Sequence, residues 1–470
     1  MDISNKEALK DKIHEIHNFL RNNGAGYGMN ALKVFNILYG LKKITDGNLR
    51  EKTGLSDKCD FNHLLSLANS AQDEKLCSLI INDILDEIHE NHILKNFLFY
   101  EIPRNIKSNV FSHLVKEIDN ITIIENTCNV QLSGKIYEYF IGRDQTAISE
   151  LGAYFTDRHI VNYIYDILSI ECNNGKIPTG SPASPVSSVS SVSATEHDEQ
   201  VAAAQQLPVI SPTLDCTVIS ADLAFNNGKI PTMIDMFGGS GGFTTGYVNY
   251  MNDNYSIDWS SNINQIHHYD MNEDVIKSAA LELFCLTGEL PNMNNLQYKN
   301  SFTDEFNNEK YELIITNPPY GGDKNSKSDA QIKREKTKKY IKDELKSLTD
   351  NDIIMRRNNQ LKKIIDEEES EDKIKEKQKV TINNSSKRIK KFAKDNKLKG
   401  NDKESVSLIQ LMDMLSHNGM CIGVLKEGVF FNKIYKDHRK HLIENFNVKK
   451  IVSIPSDQFE NTSTKTSILY

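Results

Sequence analysis

From about residue 231 onward the chain alternates short β-branched runs with amphipathic stretches, and this alternation restricts the fold more than any other feature. The runs TMIDMF, IHHYD, YELIIT, MCIGVL, VKKIVSIP and TKTSILY read as strands. Between them, FTTGYVNYM, NEDVIKSAALELFCLTG, VSLIQLMDMLSHNG and YKDHRKHLIENFN carry apolar residues at helical spacing. Strands separated by helices of this length predict an α/β fold, a doubly wound sheet with helices on both faces. Ligands of such sheets sit beyond the carboxyl ends of the strands. That end is therefore where chemistry is expected.

Two of the predicted strands stop there on unusual turns. The first runs from Asp235 through Met-Phe into Gly238, Gly239, Ser240, Gly241, Gly242 and Phe243. Glycines after a strand allow a tight turn and let backbone approach a ligand closely. Exposed amides at the next helix start favour a negative group. The turn lacks the GK[ST] of a phosphate loop and does not match GxGxxG. Asp235 suits a positively charged amino group. The next strand ends at Asp270, whose carboxylate can accept two hydrogen bonds from ribose hydroxyls; it equally reads as a carboxylate capping the helix that follows. Together these features suggest a ligand containing a nucleoside. The second turn follows IIT as Asn317, Pro318, Pro319 and Tyr320. The prolines fix φ and hold Asn317 in place. The Asn317 side-chain carbonyl and the Pro318 carbonyl are two acceptors that can converge on one amino group. The Tyr320 ring is expected to offer a flat face for stacking. The motif is thus built to grip a planar, amino-bearing substrate without a nucleophile.

The remainder frames this region. Residues 1–130 read as a helical domain, with Leu9, Ile13, Ile16, Phe19 and Leu20 at helical spacing and Gly24 as a stop. Residues 131–172 are a helical lead-in. Residues 173–225 are rich in Ser, Val, Ala and Pro and are bracketed by two copies of NNGKIPT, which marks an insertion. The alternating region then falls into 226–322 and 404–470, separated by a charged helical insertion at 323–403. That insertion holds 25 Lys and Arg against 16 Asp and Glu, in a chain whose net charge is −8. Long charged helices usually present a solvated face; contact with a phosphate backbone is the sharper alternative. Seven cysteines are scattered without a CxxC pair, which argues against a zinc site or a disulfide framework and for a reducing compartment, the cytoplasm of a cell or of a virus-infected host. No apolar run reaches the roughly 18 residues of a membrane helix.

The motifs and their order resemble the S-adenosylmethionine-dependent adenine-N6 DNA methyltransferases, and among them the modification subunits of type I restriction–modification systems. The resemblance spans about residues 130–170 and 226–470. It rests on LSGKIYEYFIGR followed by ELGAYFTDRHIVNYIYDIL, on DMFGGSGGF, YDMN and NPPYGG, and on the closing GVLKEGVFFN and IVSIPSDQFENTSTKTSILY. It implies a Rossmann-like methyltransferase domain behind a helical N-terminal domain, S-adenosylmethionine as cofactor and DNA as partner. In this family the Phe-Thr element contacts the methionine part of the cofactor, which nominates Phe155 and Thr156. Asp235 and Gly238 to Gly242 with Ser240 would hold the cofactor, Asp270 its ribose. Asn317, Pro318, Pro319 and Tyr320 would hold a flipped-out adenine, with Phe430 or Phe431 on the other side of the base pocket.

The chain departs from the family pattern in places. Asp157 stands where the family often has proline. Asn300 stands where an acidic residue usually contacts the cofactor adenine; its side-chain carbonyl is expected to accept in its place. No target-recognition domain follows Tyr470, so either a separate specificity subunit supplies recognition or the chain is truncated. The same chemical need would also be met by a methyltransferase acting on a protein glutamine amide or an RNA guanine amino group. A catalytically degenerate DNA-binding subunit is the alternative from another class.

Overall fold

A computed structural model describes residues 3–103, 106–128, 136, 139–140, 158–174, 229–306, 310–320, 380–455 and 464–470. The expected insertion at 173–225 falls almost wholly outside the described residues, as do residues 321–379. Seven strands form one sheet: β1 (Met233–Asp235), β2 (Ile266–Asp270), β3 (Leu296–Tyr298), β4 (Tyr311–Thr316), β5 (Leu415–Lys426), β6 (Ile451–Ile454) and β7 (Thr466–Leu469). Their order is β3-β2-β1-β4-β5-β7-β6. The first five are parallel, and β7 inserts antiparallel between β5 and β6. The alternating pattern thus produces the expected α/β sheet, with two departures. The three-residue β3 was not among the predicted strands, because three residues are too few to show a period. And β5 begins at Leu415, inside a stretch whose pattern reads as helix, because Tyr311 on β4 pairs with Leu415.

We number the helices of nine or more residues. Before the sheet come α1 (Ile3–Asn22), α2 (Met29–Asp46), α3 (Phe61–Asn69), α4 (Ser108–Cys128) and α5 (Arg158–Asn174). The sheet's own helices are α6 (Gly242–Asn254), α7 (Glu273–Thr287), α8 (Lys387–Asp395), α9 (Lys403–Met414) and α10 (Lys436–Asn445). Ile13, Ile16 and Leu20 line the buried stripe of α1, as their spacing requires. The helical region is packed directly onto α7. Asn36 Nδ2 donates to Ser278 Oγ (2.9 Å), Lys33 pairs with Asp274 (3.1 Å), and Lys52 pairs with Glu289 (2.7 Å). A Cβ on Gly40 would lie 3.0 Å from a Leu281 methyl and 2.3 Å from a Leu98 methyl, so a side chain there would force a leucine to move. One hydrophobic cluster runs from these helices through α6 and α7 to one face of the sheet. A second covers the opposite face.

That second cluster corrects one expected boundary. Ile389, Ala393 and Leu398 are buried in it, so residues 380–403 belong to the packed α/β fold and not to an appended charged segment. The lysines of this stretch obscure three apolar residues that face inward.

Candidate functional site

The site is assembled where β1, β2 and β4 end side by side. Asp235 closes β1 and is 1% exposed. Its Oδ1 accepts from the Thr316 hydroxyl at 2.6 Å and from the Phe237 amide at 3.1 Å. Thr316 immediately precedes Asn317. The bond therefore ties the glycine-loop strand to the Asn-Pro-Pro turn, 81 residues later in sequence. Burial raises the Asp235 pKa to about 7, against the lowering effect of those two donors and with a further push from the Asp270 charge.

The glycine turn has the geometry its composition calls for. Gly239 (φ 50°) and Gly241 (φ 86°) both adopt the left-handed region, where a side chain is strained. A Cβ on Gly239 would meet nothing within 4 Å, so this backbone borders open space that a ligand can enter. Gly238 is different. Its amide donates to Tyr269 O (2.9 Å), and a Cβ on it would fall 2.1 Å from Cε1 of His268. His268, on β2, is fully buried beneath the turn, with Nδ1 2.9 Å from the Thr244 hydroxyl. Burial lowers its pKa to about 4, so the ring is neutral. Sequence reading missed this residue: nothing in IHHYD distinguishes His268 from His267.

Asp270 shapes the turn while leaving capacity for a ligand. Its Oδ2 accepts from the Gly239 amide (3.0 Å) and its Oδ1 from the Asn272 amide (2.9 Å). Asn272, not Asp270, caps α7, accepting from the Asp274 amide at 3.0 Å. Burial raises the Asp270 pKa, and the two amides oppose that shift. Asn300 corrects an expectation. Its side-chain carbonyl, expected to face the cofactor, accepts from the Phe302 amide (3.1 Å) within its own turn, so at most one lone pair remains for a ligand.

Tyr320 corrects another. Its ring is 5% exposed and belongs to the core cluster, so it offers no open stacking face. Its hydroxyl lies against both Asn317 Oδ1 and Val424 O (3.1 Å from the latter), and its single proton can serve one at a time. Burial keeps the phenol protonated. Pro318 is buried and Pro319 half-buried. Beyond the end of β5, Phe431 is 66% exposed, whereas Phe430 packs against the second cluster. Phe155 and Thr156 lie outside the described residues. The helix that follows them, α5, is bound to the start of α6: the Tyr165 hydroxyl donates to Phe243 O at 2.5 Å, and a Cβ on Gly246 would fall 2.6 Å from the Tyr165 ring.

Two family profiles and several solved structures match the chain. The RNA cap guanine-N2 methyltransferase family profile matches residues 230–410, and the N-6 DNA methylase profile matches residues 374–470. No curated protein sequence matches the chain. Among solved structures, a modification subunit assigned to a type I restriction enzyme from Vibrio vulnificus YJ016 superposes with a TM-score of 0.56 at 12% identity, covering 98% of this chain and 80% of that one. A structure of the type I restriction–modification system gives 0.50 at 13% identity, covering 98% and 74%. No helix among the described residues is long and apolar enough to cross a membrane. The chain has the mixed α/β fold of these modification subunits behind a helical N-terminal region, and over parts of its length it is similar to two methyltransferase families, one of them the N-6 DNA methylases.

Proposed function

We propose that the chain transfers a methyl group from S-adenosylmethionine to the N6 amino group of adenine in DNA, as part of a restriction–modification system and together with a specificity subunit. The observation that carries this reading is the Asp235–Thr316 bond, which couples the glycine turn to the Asn-Pro-Pro turn on neighbouring strands. A cofactor site and an amino-group acceptor site so joined suit direct transfer between them.

The residues present fit the cofactor. The backbone of Gly239 borders open space, Asp270 retains lone pairs for the ribose hydroxyls, and Asp235 Oδ2 has no partner among the described residues. Gly238, Gly241, Gly242 and Ser240 would complete the cradle. The Asn300 amide nitrogen would donate to a ring nitrogen of the cofactor adenine. Phe155 and Thr156, just ahead of α5, would meet the methionine end, because α5 is fastened to the helix that begins at Gly242. The bound cofactor supplies an electrophilic methyl on a sulfonium centre.

The rest is positioning. The adenine must leave the duplex, because its amino group is otherwise paired. Asn317 Oδ1 and the Pro318 carbonyl would accept the two amino N–H bonds and enrich the nitrogen lone pair. In the free chain the Tyr320 hydroxyl occupies Asn317 Oδ1. An entering amino group would displace it, and the hydroxyl would keep its bond to Val424 O. Phe431 takes the stacking role that Tyr320 does not fill.

The test is transfer of labelled methyl to mixed-sequence DNA, RNA and protein, with the product identified by mass spectrometry. N6-methyladenine in DNA supports the proposal. The match of residues 230–410 favours one second reading, transfer to a guanine amino group in RNA, and N2-methylguanine would establish it. No transfer with the cofactor bound, even with a specificity subunit present, would mean a degenerate enzyme.

A further inference from the structure

We propose that the lysine face of α8 is a docking surface for the phosphate backbone of duplex DNA. This rests on the reading of DNA as substrate and adds where the duplex lies. Lys387, Lys390, Lys391 and Lys394 recur at i, i+3, i+4 and i+7, which places them on one side of the helix, and all four are exposed. Lys397 and Lys399 extend the exposed row beyond the helix end. The opposite side holds the buried Ile389 and Ala393.

Three observations separate this face from an ordinary solvated one. First, among the described residues no acidic side chain pairs with any of these six lysines. Arg388, on the flank, is the cation of α8 that is neutralised, by Asp413. Second, the first turn of α8 contains Lys387, Arg388 and Lys390 and no acid. Cations there oppose the helix dipole, so the charges lower the stability of their own helix. Selection for stability alone would not place them there. Third, the surface is held firmly. Ser386 caps the helix, its amide donates to Phe302 O (2.9 Å), and the Lys387 amide donates to Glu305 Oε1 (2.7 Å).

The position is appropriate. Phe302 packs on Phe237, two residues past Asp235, with ring centroids 4.9 Å apart. The Ile382 amide bonds Gly400 O just ahead of α9, whose start lies at the carboxyl side of the sheet because it leads into parallel β5. Arg388, in the first turn of α8, pairs with Asp413 beside the amino ends of β4 and β5, so α8 runs along the flank of the sheet, and Lys397 and Lys399 carry the row on to Gly400 at the start of α9, the end that holds Asn317. A duplex presenting one base there would run its backbone past a fixed cationic row that no described acidic side chain pairs with, whereas the chain as a whole carries −8 and repels it.

The test is a triple variant, Lys387→Gln, Lys390→Gln and Lys391→Gln, with binding to a mixed-sequence duplex measured between 50 and 200 mM salt. Loss of three phosphate contacts should flatten the slope of log K against log salt by about 2 to 3 and weaken binding about ten- to a hundredfold at the lower salt. S-adenosylmethionine affinity should not change. The melting temperature should hold or rise, since two first-turn charges unfavourable to the helix are gone. A wild-type chain that binds DNA steeply with salt, beside a variant with the same slope, overturns this proposal and leaves the substrate reading standing. A wild-type chain that binds no duplex DNA removes both. Variant-sensitive binding of polyglutamate in place of DNA would overturn the DNA assignment and mark an acidic protein partner.

Discussion

Gly238→Ala should damage cofactor binding without touching the cofactor. The added Cβ would lie 2.1 Å from Cε1, 2.3 Å from Nδ1 and 2.7 Å from Nε2 of His268. The ring cannot yield cheaply: it is fully buried and bonded through Nδ1 to Thr244. Either the glycine turn lifts or the ring swings and gives up that bond. Overpacking costs about 1–3 kcal/mol and a lost buried hydrogen bond about 1 kcal/mol, so about 2–4 kcal/mol of stability is at stake. A lifted turn moves the Gly239 amide off Asp270, and S-adenosylmethionine should bind about 10- to 100-fold more weakly, the equivalent of about 1.4–2.8 kcal/mol. Calorimetric titration and denaturant unfolding measure both quantities. The decisive comparison is the double variant with His268→Ala. Removing the ring alone leaves a cavity and costs about 2–4 kcal/mol. If the ring is what Gly238 avoids, the second change should relieve the first, with a coupling of about 1–3 kcal/mol and partial return of cofactor affinity. Strict additivity would refute the steric reasoning. So would Gly238→Ala protein that binds the cofactor as wild type does.

Three further outcomes are expected. Asn317→Ala should lower turnover at least about a hundredfold, by analogy with the loss of one polarising group in other active sites, while cofactor affinity stays within about twofold; near-normal turnover would remove Asn317 from the chemistry. Phe431→Ala should leave the melting temperature unchanged, since the ring is exposed, but reduce kcat/KM on DNA by about 1–3 kcal/mol of stacking; an unaltered kcat/KM would place the base elsewhere. Asp235, with its pKa raised to about 7, stabilises the fold fully below its ordinary value of 3.8 and loses that contribution as pH rises to about 7. His268, lowered to about 4, acts in the opposite sense, stabilising above 6.5 and losing this as pH falls towards 4. The two therefore oppose one another between about pH 4 and 6.5. In Asp235→Asn the Asp235 contribution no longer opposes that of His268, so melting temperature should climb with pH more steeply than in wild type, and equal pH profiles would contradict the assignment of the buried charge.

Much of this site was legible in the sequence because it depends on local chemistry. Gly239 and Gly241 could be recognised as turn glycines because only glycine accepts their positive φ cheaply. Asp235, Asp270 and Asn317 could be placed at the carboxyl ends of strands because strand runs and turn residues are contiguous in the chain. The order of these motifs carried the fold class and the resemblance to the adenine-N6 DNA methyltransferases.

What tertiary structure alone decided involves partners distant in sequence. Tyr320 turns inward because Val424, 104 residues away, presents a carbonyl to its hydroxyl, and a ring read as a stacking face becomes a latch on Asn317. The side-chain carbonyl of Asn300 gives one of its two lone pairs to its own turn, a matter of backbone path that residue type does not reveal. His268 becomes the floor of the glycine turn through the β1–β2 register, in which Asp235 lies beside it. The three residues of β3 become a strand because β2 is there to bond them. Residue type specifies which groups can bend, donate and accept. Which of these capacities remain available for a ligand is set by long-range packing, since each buried polar group must first find its own partner.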